Sequence, residues 1–343
     1  MDNLKDFIRP NMRSLKAYSS ARDEYSGKEG VFLDANENPF GNLNRYPDPY
    51  QQKLKKKLAQ MKQLEPSQIF IGNGSDEVMD LAFRIFCEPG KDKALSFSPS
   101  YGMYEVSAAI NNVELIQLAL KNDFQLDLDS IKTYLTDENL KLIFICSPNN
   151  PTGNVMRKKD IEYILESFNG IVILDEAYID FARSPSMVSL LLSCQNLMVS
   201  QTLSKARGLA AARVGMAFAN EEIIEYFNKA KPPYNVSGLN QEAALNALSK
   251  NAVFQERITQ ILDEREKLEI ELGKLTIVNK IYPSDANFLL VEMENANLVY
   301  EKLLKQKIVI RNRSNQVKNC LRITIGSPEE NQQILNALKE IEG

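Results

Sequence analysis

The stretch Lys141-Leu-Ile-Phe-Ile-Cys146, followed at once by Ser147-Pro-Asn-Asn-Pro-Thr-Gly153, decides the fold class of this chain. An apolar run of this length, without apolar–polar alternation, predicts a strand covered on both faces, as in parallel sheets of α/β proteins. Two prolines flanking two asparagines make the following loop stiff and hold side-chain amides at the strand's carboxyl end.

The same unit recurs on both sides. Upstream, Ile69-Phe-Ile71 empties into Gly72-Asn-Gly-Ser-Asp76 and a helical pattern through Phe86. Lys93-Ala-Leu-Ser-Phe97 empties into Ser98-Pro-Ser-Tyr-Gly-Met-Tyr104, and Val113-Glu-Leu-Ile-Gln-Leu118 follows a further helix. Downstream, Ile171-Val-Ile-Leu174 ends in Asp175-Glu-Ala-Tyr178. Asn196-Leu-Met-Val199 runs into a small-residue loop containing Ser204, Lys205 and Arg213, and Val214-Gly-Met-Ala-Phe218 closes the series. Strand–helix alternation from about residue 50 to 240 predicts a large, mostly parallel three-layer αβα domain. Lys231-Pro-Pro-Tyr-Asn-Val-Ser237 interrupts the pattern, and helical periodicity then runs to about Leu272. The remainder, with strands expected at Asn287–Met293, Ile308–Ile310 and Cys320–Ile325, reads as a smaller α+β domain. The expected division is 1–45 as an N-terminal arm with part of the small domain, 46–240 as the large domain and 241–343 as the small one. Pro10, Gly27, Gly30 and Pro39 punctuate the start, which reads as an irregular arm.

Composition narrows the function classes. The 343 residues are 44% hydrophobic and 25% charged, with a formal net charge of −4, which argues against a nucleic-acid footprint. The Lys53-Leu-Lys-Lys-Lys57 run reads as the solvated face of a helix. The N-terminus lacks the apolar core of a signal peptide and no stretch is long enough to span a bilayer, so a cytoplasmic protein is expected. Cys87, Cys146, Cys194 and Cys320 are scattered in apolar surroundings and read as buried free thiols rather than metal ligands. There is no histidine, which removes histidine-based triads, general bases and zinc sites. Acid–base chemistry falls to lysine, tyrosine, carboxylates or a cofactor.

The strand ends supply such groups. Gly74 and Ser75 enter a helix and suit a phosphate, although Glu77 stands where G-x-G-x-x-G would need its third glycine. Ser75 reads as the helix N-cap. Tyr101 follows the second strand, Asn150 the apolar strand, and Asp175 with Tyr178 the next. Lys205, beside Ser204 in a loop of small residues, sits where desolvation tunes an amine toward Schiff-base chemistry. Each has an ordinary reading as a cap, a turn or a surface side chain. Together they form the crevice that α/β sheets build at the carboxyl ends of their strands.

This set resembles the fold-type I pyridoxal-phosphate-dependent aminotransferases, class II, and within them the histidinol-phosphate branch. The resemblance covers nearly the whole chain. It is carried by Tyr18-Ser-Ser-Ala-Arg22, Asp34-Ala-Asn-Glu-Asn-Pro39, Asn44-Arg-Tyr-Pro-Asp48, Gly74-Ser-Asp-Glu77, Ser100-Tyr-Gly-Met-Tyr104, Ser147–Gly153, Asp175–Tyr178, Ser204-Lys205, Pro233-Tyr-Asn-Val-Ser237 and Leu321-Arg-Ile-Thr-Ile-Gly326. It implies transamination between L-histidinol phosphate and 2-oxoglutarate in histidine biosynthesis, with pyridoxal 5′-phosphate as cofactor. It also implies a homodimer. Lys205, Asp175 and Tyr178 are then the catalytic residues: Lys205 binds the cofactor covalently and moves the proton, and Asp175 pairs with the ring nitrogen. Asn150 and Tyr178 bond the phenolic oxygen, and Tyr101 stacks on the ring. Gly74, Ser75, Ser204 and Arg213 take the phosphate, joined by Tyr46 from the neighbouring subunit. Arg311 and Arg322 bind the substrate anion and Tyr18 lines the imidazole pocket. Arg207, where the family more often has an aromatic or apolar residue, and Ala211-Ala212 depart from the family pattern. The alternatives are an aromatic aminotransferase or a threonine-phosphate decarboxylase of the same fold.

Overall fold

The computed structural model describes residues 4–19, 21, 25 and 30–343. Seven strands form the larger sheet: β1 (Ile69–Asn73), β2 (Lys93–Ser98), β3 (Glu114–Ala119), β4 (Leu140–Cys146), β5 (Ile171–Asp175), β6 (Leu197–Thr202) and β7 (Val214–Ala219). Their order is β1-β7-β6-β5-β4-β2-β3. The pairs among β2 to β6 are parallel, while β7 runs antiparallel to both β6 and β1. This one reversal matters for function. It leaves β1 co-directional with β2 to β6, so six strands end at one edge, and β7 begins there, bringing Arg213 to the ends of the others.

The apolar runs predicted for the interior are there: every residue of β5, β6 and β7 is buried. One face packs on the helices Ser75–Phe86 and Glu221–Ala230 through Val78, Phe83 and Phe227. The other packs on Gln52–Lys62 and Lys158–Ser167 through Leu54, Leu58, Ile161 and Ile164. Burial on both faces is what selects Val, Ile and Leu without alternation.

Four antiparallel strands make the second sheet: β8 (Val278–Tyr282), β9 (Phe288–Met293), β10 (Arg311–Asn312) and β11 (Cys320–Thr324), ordered β10-β11-β9-β8. Leu289, Val291, Leu321 and Ile323 face a core shared with the helices Asn251–Leu272, Ala296–Lys305 and Pro328–Glu342. The last of these opens on a capping box, Ser327 with Glu330, and carries a proline in its first turn.

Several sequence expectations need correction. The start is not simply an irregular arm. Leu4, Ile8 and Met12, four residues apart, are buried against the large sheet's helices, and the Arg9 amide donates to the Ile85 carbonyl at 3.0 Å. Ile308–Ile310 is not a strand: Ile308 N–H closes the preceding helix on the Leu303 carbonyl, and pairing begins at Arg311. β8 was not foreseen, because both of its faces are largely accessible and its apolar signal is weak. A short helix, Leu128–Lys132, precedes β4. Gly74, not Ser75, is the N-cap of Ser75–Phe86. Cys194 is half-buried, unlike the other three thiols.

The lysine run hides one exception. Lys55 is buried beside Leu54 and Leu58, with its Nζ 3.5 Å from Asn228 Oδ1. Burial, aided by the charge of Lys231 and opposed by Asp48, lowers its pKa to about 8. Among the described residues no helix is long and apolar enough to cross a membrane.

Candidate active site

The shared strand edge gathers Ser75, Asp76, Tyr101, Cys146, Asn150, Asp175, Tyr178, Thr202, Ser204, Lys205 and Arg213 around one cleft. Each is delivered by a strand end. Asp175 is the last residue of β5 and is 3% exposed. The Tyr104 hydroxyl donates to its Oδ2 at 2.8 Å and the Ala177 amide to its Oδ1 at 3.1 Å. Burial nevertheless dominates and pushes its pKa up to about 6, against the pull of these two bonds. Among the described residues no cation forms an ion pair with Asp175 within 4 Å. A buried carboxylate in that state has room for a positively charged partner.

Tyr104 was quoted in the sequence but given no role. It is fully buried, stacked on Phe144 with ring centroids 5.0 Å apart. Tyr104→Phe keeps that packing and removes one bond to a buried carboxylate, an interaction worth about 1.5–3 kcal/mol. The variant is expected to raise the Asp175 pKa further and to weaken cofactor retention about tenfold, read by equilibrium dialysis of the purified protein. Glu176, by contrast, is turned away from the cleft. Its carboxylate is held by Ser186, the Met187 amide and Gln201.

Lys205 opens on the cleft, and its Nζ lies 5.6 Å from the centre of the Tyr178 ring. Desolvation by the cleft walls comes first in lowering its pKa, and Arg322 adds to this. Asp175 and Asp76 oppose it. Asn150 Nδ2 is 3.5 Å from the Tyr178 hydroxyl, and Asn150 Oδ1 accepts from Arg322 Nη1. Burial raises the Tyr178 pKa while Arg322 draws it back. Arg322 belongs to β11, so this bond joins the smaller sheet to the cleft.

The phosphate-type cradle is built from backbone. Gly74 has φ +81° and caps the helix Ser75–Phe86 without a side chain. The first turn's N–H groups therefore face outward at the positive end of the helix dipole. An added Cβ on Gly74 would sit 2.4 Å from Arg213 Nη2, and one on Gly215 would sit 2.2 Å from the Ser75 nitrogen. Two missing side chains thus let Arg213 and the helix start converge. Gly215→Ala would have to push backbone aside, at a typical cost of about 1–3 kcal/mol. It is expected to weaken cofactor binding at least about tenfold in a spectroscopic titration.

Within the cradle Arg213 Nη2 meets Asp76 Oδ2 at 3.1 Å, and the Tyr101 hydroxyl donates to Asp76 Oδ1 at 3.1 Å. The Thr202 hydroxyl lies 3.0 Å from that of Ser204 and accepts from the Ser204 amide. Asp76 and Thr202 were not singled out from the sequence, since an acid in a first helical turn and a threonine at a strand end are unremarkable.

Other expected residues lie elsewhere. Tyr46 is half-exposed and stacks on Tyr234, with ring centroids 4.3 Å apart, outside the cleft of its own chain. Tyr18 is 66% exposed and borders a separate groove with Tyr50 and Tyr234. Arg311 is exposed on β10, directly across from Arg322. Arg22, part of the quoted N-terminal motif, lies outside the described residues. Arg207 has a plain account: its guanidinium lies 3.3 Å from the centre of the Phe254 ring, and Nη2 is 3.4 Å from Asn251 Oδ1. It ties the lysine loop to the helix Asn251–Leu272.

This donor set fits pyridoxal phosphate. It has an amine of lowered pKa, a buried carboxylate without an ion-pair partner among the described residues, and a helix start with an arginine where two glycines leave room. Residues 24–338 match the family described as aminotransferase class I and II. The chain is 52% identical to the histidinol-phosphate aminotransferase of Parabacteroides distasonis, over 99% of both chains. Among solved structures, the histidinol-phosphate aminotransferase of Clostridium acetobutylicum superposes with a TM-score of 0.81 at 28% identity, covering 88% of this chain and 91% of that one. The Sinorhizobium meliloti enzyme of the same name, solved with pyridoxal-5′-phosphate, shares the fold with a TM-score of 0.77 at 22% identity, over 90% of each chain. The cleft and these likenesses together make the chain a member of the class I and II aminotransferases, in the histidinol-phosphate aminotransferase family.

Proposed function

We propose that this chain moves the amino group of L-histidinol phosphate to 2-oxoglutarate, giving imidazole acetol phosphate and L-glutamate, as a step of histidine biosynthesis. The observation that carries the reading is the Arg322–Asn150 bond. It brings a guanidinium suited to a substrate phosphate or carboxylate into the cleft that holds Lys205 and Asp175. Pyridoxal phosphate, when bound, supplies an aldehyde for the substrate amine and a protonated ring that draws electrons from the substrate Cα.

The chain's residues do the rest. Lys205 would hold the cofactor and, once its amine is free, take the proton from the substrate Cα. Its lowered pKa favours the neutral form that this requires. Asp175, oriented by Tyr104 and the Ala177 amide, would keep the ring nitrogen protonated. Asn150 and Tyr178 would donate to the phenolic oxygen, and Tyr101 would cover the ring. Gly74, Ser75, Ser204 and Arg213 would hold the phosphate. Arg311 and Arg322 would take the substrate anion in both half-reactions, and Tyr18 would border the imidazole.

In this reading residues 46–240 are the cofactor domain, 241–343 the small domain, and 1–45 the arm. The working form is a cytoplasmic homodimer in which Tyr46 reaches the partner's phosphate. The exposure of Val31, Leu33, Phe40 and Leu43, between 73% and 88%, supports an apolar surface covered by a second copy. The test is glutamate production from 2-oxoglutarate with L-histidinol phosphate as donor. Equal rates with unphosphorylated histidinol would remove the anion site from the account.

A further inference from the structure

The smaller sheet carries three arginines on one face. Arg311 and Arg322 are direct cross-strand partners. Arg313 continues the same ladder, its amide donating to the Cys320 carbonyl at 2.9 Å, and stands two residues beyond Arg311. Side chains alternate along a strand, so Arg313 shares the face of the other two. Like charges placed this way repel one another.

Among the described residues no carboxylate forms an ion pair with any of the three. The charges acting on Arg313 are those of Arg322, Arg311 and the Tyr178 phenol, and those acting on Arg322 are Tyr178 and Arg311, with no carboxylate among them. Burial and the two neighbouring guanidiniums lower the Arg313 pKa to about 10, so it keeps its charge at neutral pH. Arg313 Nε and Arg322 Nε are both buried without a hydrogen-bond partner among the described residues. Buried unpaired donors on clustered cations describe a site that awaits an anion. Arg322 bonds Asn150, and Arg313 acts on Tyr178, which lines the cleft.

We propose that Arg313 is a third guanidinium of the substrate-anion site and selects the doubly charged phosphate of the amino donor over the singly charged distal carboxylate of the acceptor. The selection follows from charge: at equal distance each cation attracts a dianion twice as strongly as a monoanion. Two arginines serve either ligand, and the third favours the phosphate. The substrate assignment rests on the function proposed above; the site's preference for dianions does not.

The test is the KM for L-histidinol phosphate and, separately, for 2-oxoglutarate, in the wild-type holoenzyme, Arg313→Gln and Arg313→Lys. Arg313→Met, which keeps the apolar stem, serves if the glutamine variant does not accumulate. Loss of one charged hydrogen bond predicts a KM for L-histidinol phosphate raised about tenfold or more. The KM for 2-oxoglutarate should stay within about threefold and kcat within about twofold, with Arg313→Lys recovering most of the loss. Inhibition by inorganic phosphate should weaken in parallel. If both KM values move together, or neither moves, the proposal is overturned. If the wild type does not use L-histidinol phosphate at all, the functional reading fails by itself. Phosphate inhibition against whichever donor is accepted still decides on Arg313.

Discussion

Lys205→Ala is expected to lose roughly 10⁴-fold or more in turnover, because one side chain is removed from both covalent attachment and proton transfer. The environment specifies why this lysine and not another. Desolvation in the cleft and the charge of Arg322 lower its pKa, while Asp175 and Asp76 keep it from falling further. Lys55 is also depressed, to about 8, but it is buried between helices away from the cleft. Borohydride reduction of the wild-type holoprotein should fix the cofactor's mass on the peptide containing Lys205, and on no peptide of Lys205→Ala. Stability should barely change, since the side chain is exposed to the cleft and accepts no packing role. Labelling at any other lysine would overturn the assignment.

Asp175→Asn should separate stability from activity. The carboxyl's pKa rises from 3.8 to about 6 on folding, because burial outweighs the bonds from Tyr104 and Ala177. A folded-state pKa above the unfolded one means that the folded chain binds the proton more tightly. The associated loss of stability is absent below about pH 4, develops between about 4 and 6, and is constant above. A shift of that size corresponds to about 3 kcal/mol. The cofactor-free variant is therefore expected to melt higher than wild type at pH 8, with the gain vanishing near pH 4. Turnover should fall roughly 10²–10³-fold, as when a single preorganised electrostatic group is lost. Pyridoxal phosphate should raise the melting temperature of wild type more than that of the variant. A variant that melts lower than wild type at pH 8 would show that the carboxylate is already compensated without the cofactor.

Much of this was legible in the sequence, for physical reasons. Strands buried on both faces leave uninterrupted apolar runs, and their carboxyl ends mark the crevice, so Asp175, Asn150 and Lys205 stood out by position. The polar edge strand β8 carried no such signal. The strand at Arg311 was misplaced to Ile308–Ile310 because the apolar Ile308 and Ile310 pack on the core beside the sheet rather than within it. Contacts made across the chain were out of reach. Tyr104 and Asp175 are 71 residues apart, and Asn150 and Arg322 are 172 apart. Arg207 looked anomalous until Phe254 was seen beneath it. The N-terminal stripe of Leu4, Ile8 and Met12 was readable in principle, but proline and glycine punctuation drew attention to the irregular part instead.

The central claim is best tested in a single turnover of the purified holoenzyme, followed by absorbance. L-Histidinol phosphate alone should convert the bound cofactor rapidly to its pyridoxamine form, with stoichiometric imidazole acetol phosphate and no CO₂. Conversion only with phenylalanine, or CO₂ release from threonine phosphate, would contradict the account.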